Sequence, residues 1–191
     1  MGKEFELKYA ATPEILSAVA TQLGELTEIS METTYYDTPA SDLSAKKMTL
    51  RRRLENGKSV CTLKMPDGPN SRREYETEAD TIEQAIETLS RLSGWWGLPH
   101  LAQRGLIPLC GARFTRLAAI VRQPDCELEV ALDSGVLLGG GREVPLCEIE
   151  VELKSGSEAT ATQFARILAA KYSLVGEPKS KFARAMALTK E

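Results

Sequence analysis

The stretch 49–65, TLRRRLENGKSVCTLKM, decides the fold. Two runs rich in β-forming residues, TLRRRLE and SVCTLKM, flank Asn56-Gly57, and an Asn-Gly pair between such runs predicts a tight antiparallel hairpin. In the first run Leu50 and Leu54 alternate with Arg51 and Arg53, so one strand face is apolar and the other cationic.

Upstream, residues 4–9 alternate in the same way, with Glu4, Glu6 and Lys8 opposite Phe5, Leu7 and Tyr9. Thr12 offers an N-cap and Pro13 a first helical residue; Ile15, Leu16, Val19, Ala20 and Leu23 then form an apolar stripe that ends before Gly24. TTYYDT at 33–38 reads as a strand closed by Pro39. Downstream, Arg72, Glu74 and Glu76 share a strand face, and Asp80 with Glu83 has capping-box spacing for a helix that runs to Gly94. Residues 95–111, broken by Pro99, Gly105 and Pro108, read as a loop with one short helix. Strands follow at 114–123, 126–132 and 146–154, separated by a turn after Gly135 and by the glycine run 139–141. A helix over 157–173, with Phe164, Ile167, Leu168 and Tyr172 inward, and a last helix in 178–191 complete the pattern. Hairpin-linked strands with inserted helices predict an α+β antiparallel domain, either a closed barrel or a curved sheet, and periodicity does not choose between them.

Composition narrows the chemistry. At 191 residues and 20.9 kDa the chain suits one domain, and 42% hydrophobic with 27% charged residues is the balance of a soluble protein. Neither a long apolar run nor a signal-like start is present, which predicts a cytoplasmic protein with no membrane partner. The four cysteines form no CxxC pair and read as reduced structural thiols. A net charge of -3 argues against nonspecific nucleic-acid binding, and with His100 the one histidine, catalysis falls to carboxylates, Lys, Arg or Tyr.

The charged strand faces carry the functional signal. Acidic segments near both ends (Glu4, Glu6; Glu127, Glu129; Glu148, Glu150, Glu152) are balanced by basic ones between (Arg51, Arg53, Lys64). Any one such face is most simply a solvated outer surface. Aligned like charges on neighbouring strands, however, destabilise a sheet unless opposite charges or metal ions separate them. With the charged faces turned inward and helices covering the apolar faces, the lumen becomes a polar tunnel. Clustered glutamates there suit Mg2+ or Mn2+, and Arg and Lys suit a polyphosphate. Crowded glutamates should raise one another's pKa, so metal binding and activity should improve toward alkaline pH.

The ordered set EFELK (4–8), YYDTP (35–39), LRRRLENG (50–57), TLK (62–64), ELEVALDSG (127–135), CEIEVELKSG (147–156) and SKFAR (180–184) resembles the CYTH domain of triphosphate tunnel metalloenzymes, nearest to bacterial inorganic triphosphatases. The resemblance implies an eight-stranded antiparallel barrel, with helices outside, that hydrolyses a small-molecule triphosphate with Mg2+ or Mn2+. By position it implies Glu4, Glu6, Glu148, Glu150 and Glu152 as metal ligands, with Glu127 and Glu129 as further candidates. Lys8, Arg51, Arg53, Lys64, Arg116, Lys181 and Arg184 become triphosphate ligands, Lys8 and Arg53 among them with catalytic roles; Arg72 and Arg113 fit the pattern loosely. The family's alternatives are hydrolysis of thiamine or nucleoside triphosphates, cyclisation of ATP, and polyphosphate binding without turnover. Its members often continue into an α-helical CHAD domain, so a chain stopping at Glu191 implies a stand-alone or a shortened form. The plainer reading holds for Tyr35, Tyr36 and Trp95-Trp96 as packing residues, His100 as a surface residue and 139–142 as a hairpin turn.

Overall fold

A computed structural model describes residues 5–68 and 72–190. The hairpin is as the sequence predicts: β3 (Thr49–Glu55) and β4 (Lys58–Pro66) pair with Leu50 opposite Leu63 and Arg53 opposite Val60. Asn56 and Gly57 take φ of 50° and 83°, the two positive values a two-residue type I′ turn needs. From this hairpin the sheet grows in both directions. β4 pairs β5 (Arg72–Glu78), while β3 pairs β2 (Thr27–Asp37), which pairs β6 (Ile107–Gln123). Then come β7 (Cys126–Gly139), β8 (Arg142–Gly156), β1 (Glu6–Ala10) and the two-residue β9 (Val175–Gly176). Every pairing is antiparallel, and the nine strands run in the order β5-β4-β3-β2-β6-β7-β8-β1-β9.

The eight-stranded closed barrel that the resemblance implies is not what the hydrogen bonds form. Among the described residues β5 and β9 are edges, and the sheet does not close. The physical reason lies at β1, whose outer edge is taken by β9 and by the Glu177 N–H donated to the Lys8 carbonyl at 2.9 Å. A closing strand would need that same edge.

Two boundaries differ instructively from the sequence reading. The chain does not turn after Gly135: β7 continues to Gly139, and the turn falls at Gly140-Gly141. Gly135 faces Phe114 across the ladder, and a Cβ there would come within 2.2 Å of the Arg113 carbonyl oxygen, so the glycine permits close strand approach. α3 (Ile82–Ser93) is capped by Thr81, whose side chain accepts from Gln84 N, while the Gln84 side chain accepts from Asp80 N at 3.2 Å. The expected capping box therefore sits one residue further along.

Helices cover the apolar faces. α1 (Pro13–Leu23) and α5 (Glu158–Tyr172) pack Leu16, Val19, Ala165 and Leu168 on Leu128, Val130, Ile149 and Val151. Each fully buried Leu, Ile or Val here contributes about 1.5–3 kcal/mol. Ile167, expected inward, is exposed, because the buried stripe of α5 runs through Ala161, Ala165 and Leu168. α3 and α4 (Gly97–Ala102), the short helix expected in 95–111, cover Leu50, Cys61, Leu63 and Tyr75; Trp95 joins this cluster, whereas Trp96 is exposed. α2 (Asp42–Ala45) is tied down by the buried Asp37 carboxylate, which accepts N–H groups from Thr38, Leu43 and Ser44 at 2.7–2.9 Å. All four cysteines are free, and burial pushes Cys61 up to about 11 and Cys110 up to about 12, which keeps both thiols protonated. No helix among the described residues is long and apolar enough to cross a membrane.

α6 (Lys181–Ala187) is placed differently. It lies against the inward-turned strand face, with Phe182 and Ala185 in one cluster with Met31, Tyr35 and Phe114, and with the Tyr35 and Phe182 rings 4.9 Å apart. The charged face is thereby left to line a cavity.

Candidate metal and anion site

Strand phase builds the acidic wall. On β8, Ile149 and Val151 enter the core, so Glu148, Glu150 and Glu152 turn the other way; on β7, Leu128, Val130 and Leu132 do the same for Glu129 and Asp133. Register sets Asp133 opposite Glu148 and Glu129 opposite Glu152. Asp133, Glu148 and Glu150 each place an oxygen within 4.8 Å of the others, and all three are buried.

Three carboxylates so close are tolerated because the chain supplies its own cations. Lys181 Nζ lies 2.7 Å from Asp133 Oδ2 and 2.8 Å from Glu150 Oε1, and also contacts Glu148. Arg116 makes a forked pair with Asp133, both distances 2.8 Å, and reaches Glu150 as well. Arg184 closes on Glu148 at 2.7 Å. Burial alone would raise the Glu150 carboxyl, but Lys181 and Arg116 outweigh it and hold the group well below the usual carboxylate range. Glu148 moves the other way, raised by burial and by the neighbouring Glu150 charge against the pull of Lys181. Burial would likewise strip Lys181 of its proton, yet Glu150, Asp133 and Glu148 raise it. The expectation that crowded glutamates raise one another thus holds for Glu148 and fails for Glu150, because cations from β6 and α6 enter the cluster.

The basic wall is looser. Arg51 Nη2 stands 3.9 Å from Glu74 and 3.7 Å from Glu76 of β5, and Lys64 contacts Glu74. Arg53 contacts Glu55, but its Nε is buried with no hydrogen-bond partner. Burial and the adjacent Arg51 charge both pull the Arg53 pKa down. Lys8 stands opposite Glu150 in register, with Nζ 3.4 Å from Glu6.

Both walls face one cavity of about 1060 Å³. Of the cations expected at the site it brings together Lys8, Arg51, Arg53, Lys64, Arg116 and Lys181, with Arg72 also on its lining. Of the expected acids it gathers Glu6, Glu129, Glu150 and Glu152. Glu148 lies behind this lining at 0% exposure, and Arg184 is turned toward it and toward a neighbouring pocket beside Cys147. Glu127 does not line the cavity; it sits at the far end of β7, 3.0 Å from the exposed Arg122. Arg113 is exposed and pairs with Glu143 at 3.2 Å. Glu4 lies outside the described residues. Asp133 was not anticipated, although it continues the two-residue phase of Glu127 and Glu129 past Ala131. Glu74 and Glu76 were not anticipated as carboxylates of the basic wall either.

The donor set fits a hard cation. Asp133, Glu148 and Glu150 offer only carboxylate oxygens, converging at a point that Lys181 Nζ, itself a cation, already contacts from all three sides. The basic wall offers guanidinium and ammonium groups in a geometry open to a multivalent anion.

Known proteins resemble this chain along nearly its whole length. It is 33% identical over 177 residues to the inorganic triphosphatase of Haemophilus influenzae, covering 88% of this chain and 50% of that protein, so the chain spans about half the length of the curated relative it matches. HpAC1 from Hippeastrum, studied as an adenylyl cyclase and reported with a dominant triphosphatase activity, superposes with a TM-score of 0.73 at 19% identity over 97% of this chain and 96% of that one. The PH1819 protein of Pyrococcus horikoshii superposes at 0.65 and 23% identity over 96% and 98% of the two chains. At these identities the superpositions speak to the fold. Together with a CYTH domain model that matches residues 2–186, the ordered acidic and basic strands place this chain in the CYTH domain family.

Proposed function

We propose that the chain hydrolyses inorganic triphosphate to diphosphate and phosphate with Mg2+ or Mn2+. One observation carries the reading: buried carboxylates face a cationic wall across one cavity, and in that wall Arg53 Nε is buried without a partner. The relative of that activity supports it, over half of that relative's length.

Asp133, Glu148 and Glu150 would hold the cation, with Glu4, Glu6, Glu129 and Glu152 as further donors and Glu127 as an outlying one. Bound there, it supplies charge that offsets the phosphate oxygens and a water of lowered pKa. The chain's own residues do the rest. Arg51, Arg53 and Lys64 bind triphosphate oxygens, and Arg53 Nε gains the acceptor it lacks. Lys8 and Arg53 stabilise charge building on the leaving diphosphate. Lys181 and Arg184, on one face of α6 at i, i+3 spacing, exchange carboxylate for phosphate oxygens, and Arg116 shifts with them. α6, resting on the inner face, keeps bulk water from the reacting phosphate. A tunnel completed between the β5 and β9 edges, a cytoplasmic location, and action of residues 1–191 as one domain belong to the same reading.

The test is a panel of triphosphate, ATP and thiamine triphosphate with each metal, reading orthophosphate and cyclic AMP. Orthophosphate from triphosphate above the others is expected. No phosphate from any of them, or cyclic AMP with diphosphate from ATP, overturns the reading.

A further inference from the structure

Four residues other than glycine adopt positive φ among the described residues: Ser41, Lys47, Asn56 and Ser173. Each has a local reason: Ser41 and Ser173 cap helices and Asn56 leads the type I′ turn. Lys47, at φ 57°, follows the C-cap Lys46 of α2 and closes that helix in the left-handed conformation, a place that glycine usually takes. A β-carbon in the left-handed region is strained, and such strain persists only where surrounding bonds over-determine it. They do so here: the buried Asp37 carboxylate holds the N–H groups of Leu43 and Ser44, and the Lys47 and Met48 N–H groups are donated to Ser44 and Leu43 carbonyls at 2.9 Å. The turn thereby fixes an exposed lysine on the cavity lining, two residues before β3 begins at Thr49, in the cavity that Arg51 and Arg53 also line. Unlike those arginines, Lys47 has no side-chain partner among the described residues.

Resting on the function proposed above, we infer that Lys47 is a specificity-determining contact, an ammonium that binds the outer phosphate of an unesterified polyphosphate. Arg53 and Arg51 lie along β3, about 7 Å apart at a strand's rise, and Lys47, in the turn that leads into the strand, lines the same cavity beyond Arg51. An inorganic triphosphate carries charge at both ends and meets these cations throughout its length. A nucleoside triphosphate presents its neutral sugar and base at one end, where the Lys47 ammonium finds no anion. Lys47 therefore favours the inorganic chain over the nucleotide.

The experiment separates side-chain charge from backbone strain. Tripolyphosphate and ATP are titrated calorimetrically, in chelator, into the wild type and into Lys47→Met, Lys47→Ala and Lys47→Gly. Each substitution should weaken tripolyphosphate about tenfold, one charge-assisted hydrogen bond, while moving ATP far less. Lys47→Gly should also melt about 2–4 °C above Lys47→Ala, since only the glycine relieves the positive φ. Equal losses for both anions, or no loss, with wild type that still binds and hydrolyses triphosphate, overturn the role of Lys47 alone. A glycine variant no more stable than the alanine variant removes the strain on which the inference rests. Wild type that binds neither anion overturns the proposed function and this inference together.

Discussion

The wall of β7, β8 and α6 and the wall of β3, β4 and β5 both mix acids with bases, yet they hold their charges differently. In the first, Asp133, Glu148 and Glu150 meet Lys181, Arg116 and Arg184 at 2.7–2.8 Å, and Asp133 and Glu148 are wholly buried. In the second, Lys64 and Arg53 contact Glu74 and Glu55, but Arg51 stands 3.7 and 3.9 Å from its carboxylates and Arg53 Nε has no partner. The acidic wall is neutralised from within, so a metal ion arriving alone must displace Lys181. The basic wall keeps capacity for an anion as it stands. A polyphosphate that draws Lys181 and Arg116 onto its oxygens would uncover the carboxylates, so triphosphate should tighten metal binding, and by linkage metal should tighten triphosphate equally.

The sharpest way to break this contrast is to remove one acid and one base. Glu150→Ala leaves Lys181 and Arg116 buried short of a partner, a defect that costs about 3–5 kcal/mol. The melting temperature in chelator should fall by about 6–20 °C, with loss of triphosphate hydrolysis. Wild-type melting would show that the wall is not neutralised in this way. Arg53→Met should do the reverse to stability, because burial and Arg51 already disfavour the Arg53 charge. Its melting temperature should hold or rise, while kcat/KM for triphosphate drops about 10²–10³-fold through loss of a group that stabilises developing charge. If both variants lose stability alike, the two walls are not distinct.

Lys181→Met probes the competition directly. Without its internal cation the cluster should melt lower in chelator, and Mn2+ should recover more stability than it gives the wild type. The Mn2+ affinity without triphosphate should rise about tenfold, the low end for one charge pair near buried acids. An affinity equal to or weaker than wild type would mean that Lys181 does not stand in the metal's way.

Much of this was legible in the sequence. Two-residue alternation marked the inward faces of β1, β3, β7 and β8, and Asn56-Gly57 marked the hairpin, because both signals are local. What was missed is long-range. Asp133 belongs to the site by phase, but Ala131 interrupts the acidic run, and only the register against Glu148 brings it in. Glu127 shares that phase and falls outside, because it sits at the strand end beside Arg122. Lys181, Arg116 and Arg184 were recognisable as cations of the site, yet their binding to acids depends on α6 docking across the sheet, which no spacing encodes. Gly135 read as a turn because glycine permits turns and close strand contacts alike.

The smallest expected effect is that of pH, and it tests whether Glu148 and Glu150 differ as the structure implies. The Glu150 pKa in the fold lies below its ordinary 4.5, so the unfolded chain binds that proton more readily; its stabilising contribution is present above 4.5 and is lost as pH falls through the folded value. Glu148 is raised above 4.5, so its contribution is present below 4.5 and fades as pH rises through its folded value. The two windows lie on opposite sides of 4.5 and do not cancel, so the melting temperature in chelator should fall slightly both as pH drops below 4.5 through Glu150 and as pH rises above 4.5 through Glu148. Metal binding runs the other way above 4.5, because it needs both carboxylates without protons. Mn2+ affinity and triphosphate hydrolysis should therefore climb from acid toward alkaline pH, gaining up to about tenfold per unit while Glu148 releases its proton. Glu148→Gln removes the titrating group and should flatten the rise in Mn2+ affinity, measured by titration calorimetry across the same range. A wild-type affinity already flat, or a rise that survives Glu148→Gln unchanged, would show that Glu148 is not the proton holder of the acidic wall.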